Sequence, residues 1–189
     1  MGQSKTKPLN KRLAQGETEA FVELYDLLGE QLLRYLTARL NSNDAHDVLQ
    51  EVFTRLVRYH RRLGKSPNLN AYVFMTARNE ANRWISKNQQ QSRSQSIDFD
   101  FKVSDNQISA EQRIEQHETT IQFLSQLQPD CREIVELKIF SDLTFAEIAS
   151  IVKLPDATVA TKYRRAILKM QSSIDARLQT ETASKPKTG

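Results

Sequence analysis

The chain has 189 residues, of which 39% are hydrophobic and 26% are charged, so it is expected to form one or two small soluble domains. Its single cysteine excludes an internal disulfide bond and fits a reducing cytosol. No apolar run approaches the length of a membrane span, and residues 1–10 lack the core of a signal peptide, which together predict a cytoplasmic protein. The net charge of +4 fits an anionic partner.

The first half of the chain predicts three helices. Residues 1 to about 10 are polar and are expected to be loose. Apolar residues recur at helical spacing over 17–40, and a second helix is predicted over about 44–61. The stretch 64–70, GKSPNLN, is typical of a loop. A third helix is predicted over about 71–87.

Individual residues refine these helices. Gly29 lies inside the first helix and is expected to bend or divide it. Asp44 is expected to cap the second helix, whose inward positions are Val48, Val52, Phe53 and Leu56. The third helix has an apolar face, which consists of Phe74, Ala77, Ala81 and Ile85. Its other face is a polar stripe, which consists of Tyr72, Thr76, Asn79, Arg83 and Lys87.

A break in composition separates the two halves of the chain. Residues 88–96 are rich in Gln and Ser and have nothing to bury, so they are interpreted as the start of a flexible linker. Residues 97–101, IDFDF, alternate like a strand but have no partner strand, which favours a transient or partner-bound extended segment. Helices are then predicted over about 110–127 and 129–140. The tail after about residue 178 is expected to be disordered.

Residues 143–172 have the pattern of a helix-turn-helix. Thr144 and Glu147 form a predicted capping box at the start of the first helix, which runs to about residue 152. Pro155 forces a turn, and a second helix begins at about Asp156. Ala149 and Val159 are placed to pack the two helices together. The apolar positions of the second helix are Val159, Tyr163, Ala166, Met170 and Ile174.

The opposite face of that second helix suits a DNA groove. Its first turn carries the small residues Ala157 and Thr158, which fit a major groove about 12 Å wide. Thr161, Arg164 and Arg165 follow, and arginine offers the bidentate geometry that guanine edges and phosphates accept. The alternative is an amphipathic helical hairpin whose basic face is merely solvated.

Three stretches together resemble one family. These are DAHDVLQEVFTRL at 44–56, LNAYVFMTARNEANRWI at 69–85, and the segment 127–170 that contains the helix-turn-helix. They are similar to bacterial RNA polymerase sigma factors of the extracytoplasmic-function type, a group within the sigma-70 family. The signature D-A-x-D-x-x-Q-E-x-F upstream of an A-R-N helix is more specific than the helix-turn-helix, which many regulators share.

The resemblance implies an all-α fold of two small helical domains joined by a flexible linker, the C-terminal one a helix-turn-helix. Domain two would span 10–88 and bind core RNA polymerase and the promoter's minus-ten element. The linker would span 89–110. Domain four would span 111–178 and bind the minus-thirty-five element. An anti-sigma protein is a further candidate partner, because sigma factors of this type are often held inactive by one.

The resemblance also implies roles for particular residues. Docking on the clamp helices of the polymerase would involve Asp47, Gln50, Glu51, Phe53, Arg55 and Leu56. Binding of the minus-ten element would involve Tyr72, Arg78, Asn79, Asn82, Arg83 and Lys87, with the loop 64–70 helping to hold a flipped base. The minus-thirty-five element would be contacted by Thr161, Arg164 and Arg165 at the bases and by Thr158, Lys162 and Lys169 at the phosphates.

Four positions depart from the family pattern. The family usually has an acidic residue near position 83, whereas this chain has the opposite charge there, in Arg83. Ala160 and Leu168 stand where basic residues are common, and outward-facing Leu168 could instead meet a protein partner. Lys153 replaces the turn glycine, at a cost on the order of 1 kcal/mol for a left-handed lysine.

Two other classes of function are weighed against the sigma factor. A free-standing helix-turn-helix regulator would need a ligand pocket or a dimer seam in the first domain, and the sequence indicates neither. A metal-dependent nuclease could use Asp44, His46, Asp47 and Glu51, but only Asp47 and Glu51 share a helix face. Cys131 is expected to be buried or neutral rather than catalytic. No enzyme activity, cofactor or metal is therefore expected.

Overall fold

The structure is a computed structural model that describes residues 7–94 and 123–183, with side chains described over 7–90 and 123–175. These residues divide into two compact units, one containing 7–94 and 140–143 and the other containing 123–139 and 144–183. The described ranges are helical and contain no strand, which confirms the predicted all-α class. The predicted extended segment at 97–101 and most of the predicted helix 110–127 lie outside the described residues.

The first unit begins with a helix that the sequence did not indicate. Helix α1, Leu9–Ala14, includes residues that were expected to be loose. It is anchored by Arg12, whose guanidinium pairs with Glu17 at 3.2 Å and Glu23 at 2.6 Å. The helix also packs closely on Gly64, because a Cβ there would lie 2.6 Å from the Cβ of Ala14.

Helix α2, Thr18–Thr37, is the long apolar helix predicted from the sequence. The prediction that Gly29 divides it is wrong, because the helix continues through that position. Leu24 and Leu32, one turn or so to either side, are both fully buried and hold the helix against the core across the glycine.

Helix α3, Ser42–Arg58, starts before Asp44, so the prediction that Asp44 caps it is wrong. The cap is Asn41, whose Oδ1 accepts from the Asp44 backbone N–H at 2.9 Å. Its Nδ2 donates in return to Asp44 Oδ2 at 3.0 Å, which resembles a capping box. The chain then forms a 3-10 helix, His60–Lys65, so the predicted loop 64–70 is shorter than expected.

Helix α4, Leu69–Ser94, extends beyond both predicted ends. Asn68 starts it, because its Oδ1 accepts from the Ala71 backbone N–H at 2.9 Å. The residues 88–94 were assigned to a flexible linker but are helical. The whole span of α4 contains no glycine or proline, so nothing in its backbone chemistry ends the helix at Lys87.

The described residues 123–183 contain three complete helices, most of which belong to the second unit. Helix α5 is Pro129–Ser141, α6 is Phe145–Val152 and α7 is Asp156–Ala183. Their starts match the predictions to within about one residue. The prediction that the tail is disordered from residue 178 is wrong up to Ala183, again across a span without glycine or proline. Ile134, Ile148 and Val159, one from each helix, are fully buried in a shared apolar core.

None of the helices in the described parts of the chain combines the length and the apolar character needed to cross a bilayer.

Candidate functional site

The turn between α6 and α7 sets the direction of the longer helix. Thr144 and Glu147 form the predicted capping box, with Thr144 N–H donating to Glu147 Oε2 at 2.7 Å. Lys153 ends α6 in the left-handed region, at φ 57° and ψ 45°, where the family pattern has glycine. Ala149 and Val159 are both buried, as expected for residues that pack the two helices together.

The outward face of α7 carries the side chains predicted to meet duplex DNA. Thr161, Arg164 and Arg165 are all exposed. The Thr161 hydroxyl donates to the Ala157 carbonyl at 2.8 Å, which orients its side chain against the helix. A shallow open groove lies on this face, lined by Ala157, Thr158, Thr161, Lys162 and Arg165. Leu168 also points outward and is exposed, as predicted.

Two of the predicted phosphate contacts already have partners within the second unit. Lys162 donates to the carboxylate of Asp130 at the start of α5, and this bond raises the pKa of Lys162 and lowers the pKa of Asp130. Lys169 Nζ donates to the backbone carbonyl of Gln126 at 2.6 Å. DNA binding through either lysine therefore competes with a bond inside the protein.

Cys131 is half-buried beside this pair. Burial is the main reason that the pKa of its thiol is raised, and the nearby charge of Asp130 raises it further. A raised pKa keeps the thiol protonated near neutral pH, so the side chain is a poor nucleophile.

The polar stripe of α4 is only partly exposed. Asn79, Arg83 and Lys87 are exposed, whereas Tyr72, Arg78 and Asn82 are half-buried. The expectation that Thr76 belongs to the outward stripe is wrong, because it is buried and its hydroxyl donates to the Tyr72 carbonyl at 2.9 Å. Asn82 Oδ1 accepts from Arg39 Nη2 at 2.9 Å, so this amide is held by α2–α3 connecting sequence that the prediction did not include.

A cavity of about 300 Å³ opens beside this stripe in the first unit. Residues of α3, α4 and the segment between them line it: Arg55, Leu56, Tyr59, Arg62, Tyr72, Met75, Thr76, Asn79, Glu80 and Arg83. The Arg62 guanidinium lies over the Tyr59 ring, 5.1 Å from its centroid. None of these lining residues belongs to the loop 64–70, whose predicted role in holding a base stays a prediction.

Sequence reasoning missed four of the residues around this cavity: Tyr59, Arg62, Met75 and Glu80. Tyr59 and Arg62 fall at the end of a predicted helix, where the sequence pattern says little about direction. Glu80 follows Asn79 in α4 and looks like an ordinary charged surface residue. Its importance arises from its neighbours on α3, which no helical periodicity within α4 can indicate.

The residues predicted to dock on polymerase do not all lie on one surface. Asp47, Gln50 and Glu51 are exposed on α3. Phe53 is half-buried, and its ring packs against exposed Tyr25 with centroids 5.1 Å apart. The prediction that Leu56 contacts a partner is corrected, because this side chain is only 1% exposed and continues the core stripe of Val48 and Val52.

Arg55 also has an internal role. Its Nε lies 2.6 Å from Glu80 Oε1, and its Nη2 lies 4.0 Å from Glu51 Oε1. Within the described residues, no group of three or more His, Cys, Asp or Glu side chains is arranged to hold a metal ion.

Comparisons with known proteins agree with the two units. Sigma-70 region 2 matches residues 24–91, and Sigma-70, region 4 matches residues 117–170. The ECF RNA polymerase sigma factor SigX of Bacillus subtilis (strain 168) is 27% identical over 157 residues, covering 79% of this chain and 80% of the relative.

Two solved structures share the fold. One is CnrH in complex with the cytosolic domain of CnrY, with a TM-score of 0.67 at 18% identity, covering 89% of this chain and 96% of that one. The other is the sigma factor RpoE in complex with the anti-sigma factor NepR from Bartonella quintana, with a TM-score of 0.72 at 18% identity, covering 84% of this chain and 98% of that one. With regions 2 and 4 both present in one chain of this fold, the protein belongs to the sigma-70 family of RNA polymerase sigma factors and is of the extracytoplasmic-function type.

Proposed function

We propose that this chain binds core RNA polymerase, recognises two promoter elements and helps to melt the promoter DNA. The observation that carries the proposal is that each unit has its own nucleic-acid-binding chemistry: exposed arginines on α7 in one, and an aromatic and arginine-lined cavity on α4 in the other. Sigma factors are in general non-enzymatic subunits of transcription initiation, and we expect no catalytic activity from this one.

The α7 face supports duplex recognition at the minus-thirty-five element. Arg164 and Arg165 are exposed and long enough to reach guanine edges, where a bidentate arginine contact discriminates against the wrong base by about 1–3 kcal/mol. Thr161 lines the groove on the same face, together with Thr158 and Lys162, which would contact phosphates. Lys169 is placed one turn or more further along and would contact the backbone only.

The cavity in the first unit supports binding of unpaired DNA at the minus-ten element. Its volume of about 300 Å³ lies at the lower end of the range for small-molecule pockets, about 300–1,000 Å³. Tyr59 and Tyr72 offer rings for a base to stack on, and Arg62 and Arg83 offer positive charge for the strand. Capture of a flipped base offsets part of the energy spent on unstacking it. Arg78, Asn82 and Lys87 would extend the contact along α4.

The exposed part of α3 supports docking on core polymerase. Asp47 and Glu51 are one turn apart and Gln50 lies between them, which suits a basic helical partner. The same two helices also expose apolar side chains: Val22 and Tyr25 on α2 and Val57 on α3 are each about half exposed. Apolar and aromatic side chains with polar and charged residues around them are a common composition for a protein interface.

The proposed domain boundaries, cellular location and further partner follow from these three interfaces. We extend domain two from its predicted end at 88 to the end of α4 at Ser94, and domain four from its predicted end at 178 to the end of α7 at Ala183. Because polymerase and promoter DNA are cytoplasmic in bacteria, we expect the protein to act there. An anti-sigma protein that covers the α3 or α7 faces remains a candidate partner, since RpoE and CnrH were each solved with a bound protein.

A pull-down with purified core polymerase tests the proposal against a free-standing regulator. We expect the full chain to bind core polymerase, and Glu51→Lys to weaken that binding by at least about tenfold through charge reversal at the interface. Glu19→Lys, which makes the same change at an exposed position on α2, should bind as the wild type does. Wild-type protein that binds promoter duplex but not core polymerase would favour the regulator.

A further inference from the structure

A buried carboxylate joins the two functional helices of the first unit. Glu80 lies on α4 and its side chain is 4% exposed. Its Oε1 lies 2.6 Å from Nε of Arg55 on α3. Its Oε2 accepts from Nη1 of Arg83, three residues along α4, at 3.0 Å. One carboxylate therefore accepts a hydrogen bond from Arg83 and forms an ion pair with Arg55, whose Nε–H is not aligned for a hydrogen bond.

The two arginines differ in their surroundings. The Arg83 side chain is 60% exposed at the rim of the cavity, on the face expected to meet unpaired DNA. Arg55 is 30% exposed and lies next to Glu51 on the face expected to meet polymerase. An exposed arginine without a partner samples many rotamers and loses that freedom when it binds. The hydrogen bond from Arg83 Nη1 to the Glu80 carboxylate restricts this side chain before DNA arrives.

The charges also favour an anionic ligand. Arg55, Arg62 and Arg83 all line the cavity, and Glu80 supplies the single acidic side chain among its described lining residues. The cavity keeps a net positive charge after the carboxylate is neutralised. Glu80 can thus orient arginines without cancelling the attraction for a phosphate backbone.

We propose that Glu80 is a positioning residue for promoter opening: it orients Arg83 towards the unpaired minus-ten strand and, through Arg55, ties that orientation to the polymerase-facing helix α3. This inference rests on the proposed function. Glu80 lines the cavity, but its side chain is only 4% exposed and both of its carboxylate oxygens lie against arginines. Its effect on promoter opening is transmitted through the two arginines.

The test measures promoter opening and polymerase binding separately. Glu80→Gln keeps the size of the side chain but replaces one acceptor oxygen with an amide group that repels a guanidinium donor. Holoenzyme carrying this change should open promoter DNA about tenfold more slowly, as measured by permanganate reactivity of unpaired thymines, because preorganisation of Arg83 is lost. Core binding should stay within about twofold of wild type, since the exposed acids of α3 are unchanged. Glu19→Gln, at an exposed position of the same unit, is the matched control.

A double-mutant cycle separates positioning from a general structural effect. Arg83→Gln should slow opening, and Glu80→Gln combined with Arg83→Gln should be no slower than Arg83→Gln alone, because Glu80 acts through Arg83. Independent, additive losses would overturn the proposal, as would wild-type opening by Glu80→Gln. If thermal unfolding shows that Glu80→Gln does not fold at the assay temperature, the cycle is run with Arg55→Gln and Arg83→Gln. Because Arg55 and Arg83 share the Glu80 carboxylate, the effects of these two substitutions on the rate of opening should be coupled. Additive effects of the two substitutions would overturn the proposal.

The control arm distinguishes this inference from the proposed function. Wild-type holoenzyme that opens promoters, with Glu80→Gln equally fast, contradicts only the role of Glu80. Wild-type protein that neither binds core polymerase nor opens any promoter contradicts the proposed function, and the role of Glu80 falls with it.

Discussion

Replacing Asp130 with asparagine should strengthen binding to the minus-thirty-five duplex. In the structure this carboxylate accepts a hydrogen bond from Lys162, which lines the groove on the outward face of α7. The bond occupies a lysine that is predicted to contact a phosphate. It also places a negative charge beside the path of the DNA backbone. Asp130→Asn removes the charge, keeps the size of the side chain and frees Lys162 for DNA.

The size of the effect follows from the number of phosphate contacts. One additional contact steepens the dependence of log K on log salt concentration by about 0.9 for duplex DNA. The ratio of the DNA affinity of Asp130→Asn to that of the wild type should therefore fall about 3.5-fold between 50 mM and 200 mM salt. This factor is the fourfold change in salt concentration raised to the power of about 0.9. Both side chains of the pair are partly exposed, at 29% for Lys162 and 53% for Asp130, so release of the lysine should not unfold the unit.

Fluorescence anisotropy of holoenzyme on a labelled duplex that contains only the upstream element measures the affinity for DNA and its dependence on salt concentration. Asp175→Asn is the matched control, because it makes the same charge change on an exposed residue 13 positions further along α7, about 20 Å from Lys162 along the helix axis. An affinity and a salt slope that are unchanged in Asp130→Asn, or changed equally in both variants, would refute this reasoning.

Four further predictions concern stability and binding. Arg165→Ala should weaken use of the minus-thirty-five element but leave core binding intact; equal loss of both, measured by transcription and pull-down, would instead indicate misfolding. Lys153→Gly should raise the free energy of unfolding by up to about 1 kcal/mol in urea titrations, because glycine relieves the left-handed strain at φ 57°; a loss of stability would argue against strain. Leu56→Ala should lower the free energy of unfolding by about 2–5 kcal/mol, whereas Gln50→Ala, at an exposed position of the same helix, should not. Equal stability of the two variants would contradict the assignment of Leu56 to the core. The pH dependence of unfolding should differ between wild type and Asp130→Asn. Because the pKa of Asp130 is lowered and the pKa of Lys162 is raised, the pair stabilises the wild type fully between about pH 5 and pH 9. This stabilisation is lost as pH falls through the folded-state pKa of Asp130 and again as pH rises through that of Lys162, so a difference in stability between the two proteins that does not shrink as pH falls would contradict it.

Local chemistry explains which structural predictions succeeded. The helix-turn-helix follows from residues close in sequence: Thr144 with Glu147 at one end of α6, and Lys153 at the other. Each of these interactions spans only a few residues, so the sequence pattern contains it. The exposed face of α7 follows in the same way from spacing along one helix.

The errors arose where local signals competed or were misinterpreted. Asn41 caps α3 in place of Asp44, because both are good capping residues and the sequence does not say which one leads the helix. The ends of α4 and α7 were placed too early, since polar composition was taken for disorder although no helix breaker is present. Leu56 was assigned to an interface by family resemblance, while its position in the apolar stripe of α3 places it in the core.

The candidate site was predictable only in outline. The arginines of α7 and the exposed acids of α3 could be found from one helix at a time. The cavity required knowing that α3, α4 and the segment joining them meet, and Glu80 gains its two partners only in that arrangement. Tertiary contacts of this kind leave no periodic signal in either helix.

The central claim is that the two units act together on one promoter through core polymerase. Run-off transcription with core polymerase across a library of promoter sequences tests it most directly. We predict transcripts that depend on this protein and on both promoter elements, with Arg165→Ala reducing dependence on the upstream one. Core polymerase that gives no specific transcript with this protein on any promoter in the library, together with an absence of core binding, would contradict the account.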